Sequence, residues 1–342
     1  MEHEAVRTRA WVSREYFLDM VALTNLIPGP NATEMAIQFG YLRAGWAGLL
    51  LAGWAFILPG ALLSALLAWA YARYGALPQL EDLFRTGIHP VVLGIILAAT
   101  WRLGRRAIRD FSFILWGAAG LAGELLGVNP VWILLAAGAV AALRSWHRRG
   151  GAPLLFLVGL PALAEGGARP GLAAVGLFFL KVGSLLFGSG MVLYAFIEKE
   201  VVHLGWLTRG ELLDAIAVGQ MTPGPVLSSA TFIGWLLFGP AGAAVATLGV
   251  FLPSFLLMSL LAPNFERIRQ WTWAREVLAG VSAAVVGIIL GVAVKIALGL
   301  SWDVGTGLLF PAALALLAWG RVPAWAVVLL GAAVGGLRLL HS

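Results

Sequence analysis

Residues 11–30 read WVSREYFLDMVALTNLIPGP, and residues 206–225 read WLTRGELLDAIAVGQMTPGP. Aligned without gaps, they share Trp11/Trp206, Arg14/Arg209, Leu18/Leu213, Asp19/Asp214, Ala22/Ala217 and the whole Pro-Gly-Pro, eight identities in twenty positions. The match extends outward with small gaps. Leu58-Pro59 answers Leu252-Pro253, Gly94-Ile95-Ile96-Leu97 answers Gly287-Ile288-Ile289-Leu290, and Pro130-Val131-Trp132 answers Pro323-Ala324-Trp325. Arg102 falls opposite Lys295, and Asp110 opposite Asp303. An internal repeat of this reach divides the chain into a first repeat (1–150), a linker (151–170) and a second repeat (171–342). The second repeat has an apolar stretch, 171–196, before Glu198-Lys199-Glu200. In the first, Glu2-His3-Glu4 already stands at the start, so the equivalent helix is expected to be missing.

Of the 342 residues, 60% are hydrophobic and 12% charged, and the mean hydropathy is +0.89. A soluble chain carries about 25% charged residues. The apolar runs 46–72, 171–196, 240–262 and 277–300 each reach the roughly 20 residues that a helix needs to cross a bilayer. The expected fold class is therefore an all-α polytopic membrane protein. Its net charge of +6 points to cytoplasmic loops rather than to nucleic acid, because Lys and Arg collect on that side of a membrane. Arg105, Arg106 and Arg109 form one such loop, and Arg144, His147, Arg148 and Arg149 another. The absence of cysteine excludes disulfides, iron–sulfur clusters and thiolate zinc sites. The first fifteen residues are charged and lack the apolar core of a signal peptide. A multi-pass protein of a bacterial inner (plasma) membrane is the expected setting. No zinc-protease helix, nucleotide-binding glycine loop or nucleophile elbow occurs, so neither an enzyme nor a cofactor or metal is expected, and ATP is not the direct energy source.

Loop charge predicts how the halves are oriented. The basic loop at 105–109 has a counterpart at 301–303 that is not basic. Conversely Arg267, Arg269 and Arg275 are basic, whereas their counterpart at 73–85 is balanced by Glu81 and Asp82. Opposite bias at equivalent loops means opposite orientation, an inverted repeat of the kind found in secondary transporters.

Each Pro-Gly-Pro interrupts an apolar helical stretch. The prolines remove backbone donors and clash with the preceding turn, while glycine allows a sharp change of direction. The flanks 16–27 and 31–42 are too short to cross alone, which predicts half-helices meeting inside the membrane or a re-entrant hairpin. Irregular backbone at that depth must be buried in protein or line a cavity. A helix restarting after the second proline leaves donors free at Asn31, Ala32 and Thr33, and at Val226, Leu227 and Ser228. Together with the helix dipole these form an anion site. The candidate lining is Asn25, Pro28, Gly29, Pro30, Asn31 and Thr33 in one half, and Gln220, Thr222, Pro223, Gly224, Pro225, Ser228 and Ser229 in the other. The plainer alternative is a pair of proline kinks that serve packing alone.

Lys181 lies about ten residues into its apolar helix, where an ammonium group needs a pathway or a partner. Leu186-Phe187-Gly188-Ser189-Gly190 follows, and its glycines allow close backbone approach, whether for the site or for packing. Arg102 and Lys295 lie near helix ends and are expected to snorkel. Asp110 and Asp303 precede apolar runs and read as N-caps. Asp19 and Asp214 are expected to pair with Arg14 and Arg209, and His89 to be a helix-terminus residue. Glu34 follows the first break where the second half has Ser228 or Ser229, and is the candidate for proton coupling.

At these residues the sequence resembles the chromate ion transporter family, two-domain type. The likeness rests on Asn25-Leu26-Ile27-Pro28-Gly29-Pro30 followed by Gly40, Gly45 and Gly48, and on Phe56-Ile57-Leu58-Pro59. It repeats as Met221-Thr222-Pro223-Gly224-Pro225 and Phe251-Leu252-Pro253, and includes Phe178 to Gly190 with its basic residue. Two-domain members open with a Phe-Gly-Gly-Pro-type helix, which this chain lacks. The resemblance implies export of chromate, with sulfate, another tetrahedral dianion, as the alternative cargo; a membrane enzyme acting on lipid phosphate is the competing class. A potential of 100 mV is worth about 2.3 kcal/mol per charge, so a dianion could be driven out against a gradient on the order of a thousandfold, with proton antiport adding to it. The implied partners are the anion and the lipid bilayer, with no nucleic acid. A homodimer is left open.

Overall fold

The computed structural model describes residues 3–24, 29–75, 77–108, 111–149, 170–186, 190–265, 272–320 and 322–339. Every regular element among them is helical. A π-helical turn, His3–Thr8, precedes α1 (Arg14–Thr24), α2 (Asn31–Tyr74), α3 (Pro78–Leu83), α4 (His89–Ala107), α5 (Phe111–Leu125) and α6 (Pro130–Arg149). The second half contributes α7 (Leu172–Leu185), α8 (Val192–Phe196), α9 (Arg209–Met221), α10 (Ser229–Leu261), α11 (Thr272–Gly299), α12 (Val304–Trp319) and α13 (Ala324–Leu339). Four stretches, Asn31–Tyr74, Pro78–Ala107, Val226–Asn264 and Val277–Gly299, are long and apolar enough to cross a bilayer. Trp46, Leu50, Leu51, Leu62, Leu66 and Trp69 leave one side of α2 apolar and exposed. In water that surface would drive association; lipid is its natural solvent.

Both long helices reverse direction. Ala44 (φ −146°, ψ 25°) and Gly45 (φ 56°, ψ −140°) interrupt α2, and Phe238 (φ −142°, ψ 26°) and Gly239 (φ 58°, ψ −146°) interrupt α10 with nearly the same dihedrals. The left-handed residue is glycine in both, as sterics require. The arms on either side fold back until the backbones of Gly40 and Gly48 touch, as do those of Gly234 and Gly242. Thr231 and Thr247 hydrogen-bond across the second pair at 2.8 Å. Small residues permit this approach, where any side chain would hold the arms apart.

The first arm of α2 (31–43) also runs antiparallel to α1. Phe39 packs on Phe17 and Trp11, with ring centroids at 6.3 and 6.1 Å, and the Arg43 guanidinium lies 5.2 Å from the centre of the Trp11 ring. Gly29-Pro30 therefore falls at the tip of a helical hairpin, and Trp11 and Arg43 at its base. In the second half, Tyr71 touches both Phe232 on the first arm of α10 and Asp214 on α9, which sets those two helices side by side with Pro223-Gly224-Pro225 at their tip.

Each half's long arm runs along the other half's hairpin. Gly60 of α2 lies against the Pro223 carbonyl, and Tyr71 reaches Asp214. In α10, Ser254 lies against Gly29, and the ring of Phe265, just past that helix, packs tilted against Tyr16 with centroids 4.9 Å apart. The outer helices repeat the exchange: Gly94 of α4 packs on Phe310 and Leu314 of α12, and Gly287 of α11 packs on Gly117 and Leu121 of α5. Residues 94, 117 and 121 and their counterparts 287, 310 and 314 are each offset by 193.

Candidate functional site: the hairpin tips

The first tip is closed from three directions. Gly29 has φ +143°, and its backbone N–H donates to the Leu186 carbonyl at 2.9 Å. A Cβ on Gly29 would strike the Glu34 carboxylate and the Ser254 hydroxyl, so these two groups converge on the glycine. Glu34 and Ser254 are fully buried, and neither carboxylate oxygen nor the hydroxyl has a hydrogen-bond partner among the described residues. The Thr33 hydroxyl and the Gln38 amide, on the same arm, are buried and unpartnered in the same way. Buried polar groups are normally bonded, so Glu34 and Ser254, converging unbonded on Gly29, mark a place suited to face something polar.

The second tip is better satisfied. Thr222 and Ser228 share a hydrogen bond at 2.7 Å, Ser64 donates to the Ser228 carbonyl at 2.8 Å, and Ser229 donates to the Val226 carbonyl at 3.0 Å. Gly224 has φ +112° and faces the Phe56 carbonyl and Gly60. Fully buried Tyr194 directs its hydroxyl toward Ser229 and Gln220, and the Gln220 Nε2 is buried and unpartnered. The bend between α7 and α8 joins the two tips: Leu186 bonds Gly29, while Gly190 lies against Leu227.

Two expectations about the breaks change. Of the three donors expected after each break, the third is used internally, since Thr33 N–H donates to Pro30 at 2.7 Å and Ser228 N–H to Pro225 at 3.0 Å. The second break also restarts as a short 3-10 turn, Val226–Ser228, before α10. Asn25, Pro28, Gly188 and Ser189 lie outside the described residues, as does Asp110. Pro30 and Pro225 are extended residues that cap the restarting helices.

Lys181 is paired with Glu200 of the Glu198-Lys199-Glu200 cluster, and its ammonium lies 5.7 Å from the centre of the Phe178 ring. Asn129 donates to the same carboxylate at 3.4 Å. Around this pair Lys295 bonds fully buried Glu124, Arg209 bonds Glu198, and Lys199 bonds the Gly127 carbonyl. Lys295 thus ends on a buried partner rather than snorkelling. Arg209 pairs with Glu198 and not with Asp214. Asp214 accepts from Tyr71 at 2.6 Å and bonds His89 Nε2 at 2.8 Å, so it links α9 to α2 and α4 of the other half. Asp303 does cap α12, accepting from Thr306 N–H at 2.6 Å. A cavity of about 410 Å³ opens at the base of the first hairpin, lined by Trp11, Ser13, Tyr16, Phe39 and Arg43.

Among the residues at the tips that sequence reading missed are Ser254 and Gly60. Each directly follows the proline of the repeated Leu-Pro pair, which had served only as an alignment anchor.

Four helices long and apolar enough to cross a bilayer, in a chain whose regular elements are all helical among the described residues, mark an integral membrane protein. The chromate transporter family profile matches residues 1–142 and 173–337, and the chain belongs to that family. Among its relatives, the chromate transport protein of Cupriavidus metallidurans is 32% identical over all of this chain and 88% of its own length. The probable chromate transport protein of Synechococcus elongatus is 33% identical over 86% of this chain and 77% of its own. The chromate transport protein of Pseudomonas aeruginosa is 32% identical over 98% and 86%. No solved structure matches.

Proposed function

We propose that the chain exports chromate from the cytoplasm across a bacterial inner membrane, driven by the membrane potential, through a site between two hairpin tips that enter the bilayer from opposite faces. The observation that carries this reading is that the first hairpin tip and the residues just past the second break both meet the α7–α8 segment, at Leu186 and Gly190, with the buried Glu34 carboxylate and Ser254 hydroxyl left unpartnered beside Gly29. The first arm of α2 spans 31–43, about 20 Å at the helical rise, and cannot cross a hydrocarbon core of roughly 30 Å. Its tip therefore stops inside. The second arm, 46–74, is about 43 Å long and crosses. It begins beside the base of the first hairpin, where Tyr41 meets Trp46, and ends beside the base of the second, where Tyr71 meets Asp214. Bases at opposite ends of one spanning helix support an inverted repeat. α4 starts near Asp214 at His89 and ends in Arg105 and Arg106, toward the end where Arg43 lies; that basic excess supports a cytoplasmic base for the first hairpin.

Cargo follows from the relatives' names together with the donors available: backbone N–H groups at two helix starts, hydroxyls and amides suit the oxygens of a tetrahedral anion. Flux of labelled chromate into and out of liposomes holding the purified protein tests this. Chromate moving along an imposed potential, with sulfate competing, is the expected result; movement of neither anion removes the substrate assignment.

A further inference from the structure

At the tips, Glu34 brings a carboxylate to a place otherwise made of donors. It stands four residues after Pro30, fully buried, with both oxygens unpartnered and no charged group among the described residues acting on it. The groups converging with it are Gly29 of its own hairpin and the unpartnered Ser254 hydroxyl of α10; one turn on, Gln38 is buried with a free amide. The second half has Ser228 or Ser229 at the equivalent position, so the tips are alike in shape and unlike in chemistry. An ionised carboxylate stripped of water, cation and donors is costly, and an oxyanion bound a few ångströms away adds like-charge repulsion. A carboxylic acid in the same place turns repulsion into a donated hydrogen bond.

Resting on the oxyanion reading above, we infer that Glu34 is a proton site filled together with the anion site. As the oxyanion settles at the first tip, Glu34 takes one proton from water on the open side, and its O–H donates to an anion oxygen. When the anion leaves on the other side, the proton leaves too, and the carboxylate is restored. No covalent bond to the anion forms. One dianion and one proton move together, carrying one net negative charge. The sign is opposite to the antiport that energetics alone invites. The cost is a smaller electrical drive, roughly fiftyfold per 100 mV instead of a gradient on the order of a thousandfold.

The test is a reversal-potential measurement on the whole protein in liposomes, with the potential clamped by valinomycin and the pH equal on both sides. Alkaline buffer is used, so that chromate carries no proton of its own. One net charge balances a tenfold chromate gradient at about 59 mV, and two net charges at about 30 mV. The expected wild-type slope is about 59 mV per decade, with an internal pH dye showing protons moving in the same direction as chromate. Glu34→Gln is expected to shift the slope to about 30 mV and abolish the proton signal. A wild-type slope near 30 mV, protons moving against chromate, or about 59 mV in both proteins overturns the proton site. Should the variant fail to insert, the wild-type slope and the direction of the proton signal decide the point. No chromate flux in the wild type overturns the transport reading and the proton site together, whereas the other contrary outcomes overturn the proton site alone.

Discussion

The backbone N–H of Gly29 donates to the carbonyl of Leu186 at 2.9 Å, which ties the break of the first half to the bend between α7 and α8 in the second. Four residues later Gly190 lies against Leu227, just past the other break. In the proposed transport cycle these contacts would pass movement of either tip to the α7–α8 segment. Alternating access needs such mechanical continuity, because a site in the middle of a membrane must open to one side while closing to the other.

The glycines at the tips and at the reversals should respond differently to a methyl group. Gly29→Ala meets both a positive φ and a collision with Glu34 and Ser254, and should cost about 3 kcal/mol or more together with all chromate flux. Gly45→Ala has a positive φ but no atom within 4 Å of the added carbon, so backbone strain alone, about 1–2 kcal/mol, is expected. Thermal melting in detergent, read beside liposome flux, separates the two.

Lys181 and Glu200 lend themselves to a double-mutant test. Lys181→Met leaves a buried carboxylate without its cation, and Glu200→Gln the reverse, each expected to destabilise by about 3–5 kcal/mol. The double variant should recover most of that loss. If Lys181 also attracts the anion, flux stays absent in the recovered double variant; restored flux would reduce the pair to a structural one.

Asp214 couples to Tyr71 and not to Arg209. A cycle of Tyr71→Phe with Asp214→Asn should give a coupling of about 1–3 kcal/mol. A cycle of Arg209→Ala with Asp214→Asn should give a value near zero, and Arg209 should couple to Glu198 instead. Chemical denaturation of the four proteins in each cycle supplies the numbers.

Much of this architecture was legible because proline and glycine act locally. The repeat, the membrane class and the two breaks follow from residues whose backbone preferences need no tertiary context, and Asp303 as an N-cap follows from its place before an apolar run. Partners were less legible. Arg14 and Arg209 stand near Asp19 and Asp214 in sequence, yet Asp214 takes His89 and Tyr71 from the other half, because the crossing of the long arms brings them closer than a helix turn does. Glu200 and Glu124 were not legible as partners, since the sequence shows neither which helix lies beside Glu124 nor that the Glu198-Lys199-Glu200 cluster turns toward Lys181. The reversals at Gly45 and Gly239 stand immediately before the apolar runs 46–72 and 240–262, where a single glycine does not distinguish a reversal from the start of a helix.

The Asp303 cap has a defined pH signature. The Thr306 backbone N–H and the nearby Arg338 hold its carboxyl down to about 2, below its ordinary 3.8. A lowered acid stabilises the fold above its unfolded value, and the contribution is lost as pH falls through the folded one. Asp303→Ala should therefore cost about 1 kcal/mol, constant from neutral pH down to about 5 and fading only in stronger acid. Melting curves of both proteins across that range check it.

Anomalous diffraction from crystals soaked in tungstate, an electron-dense tetrahedral dianion, addresses the shared site head-on. A tungsten peak enclosed by residues 29–33, 186–190 and 224–228, lost when chromate is added in excess, is the predicted result. Peaks confined to surface arginines, at tungstate concentrations that block chromate flux, would contradict it.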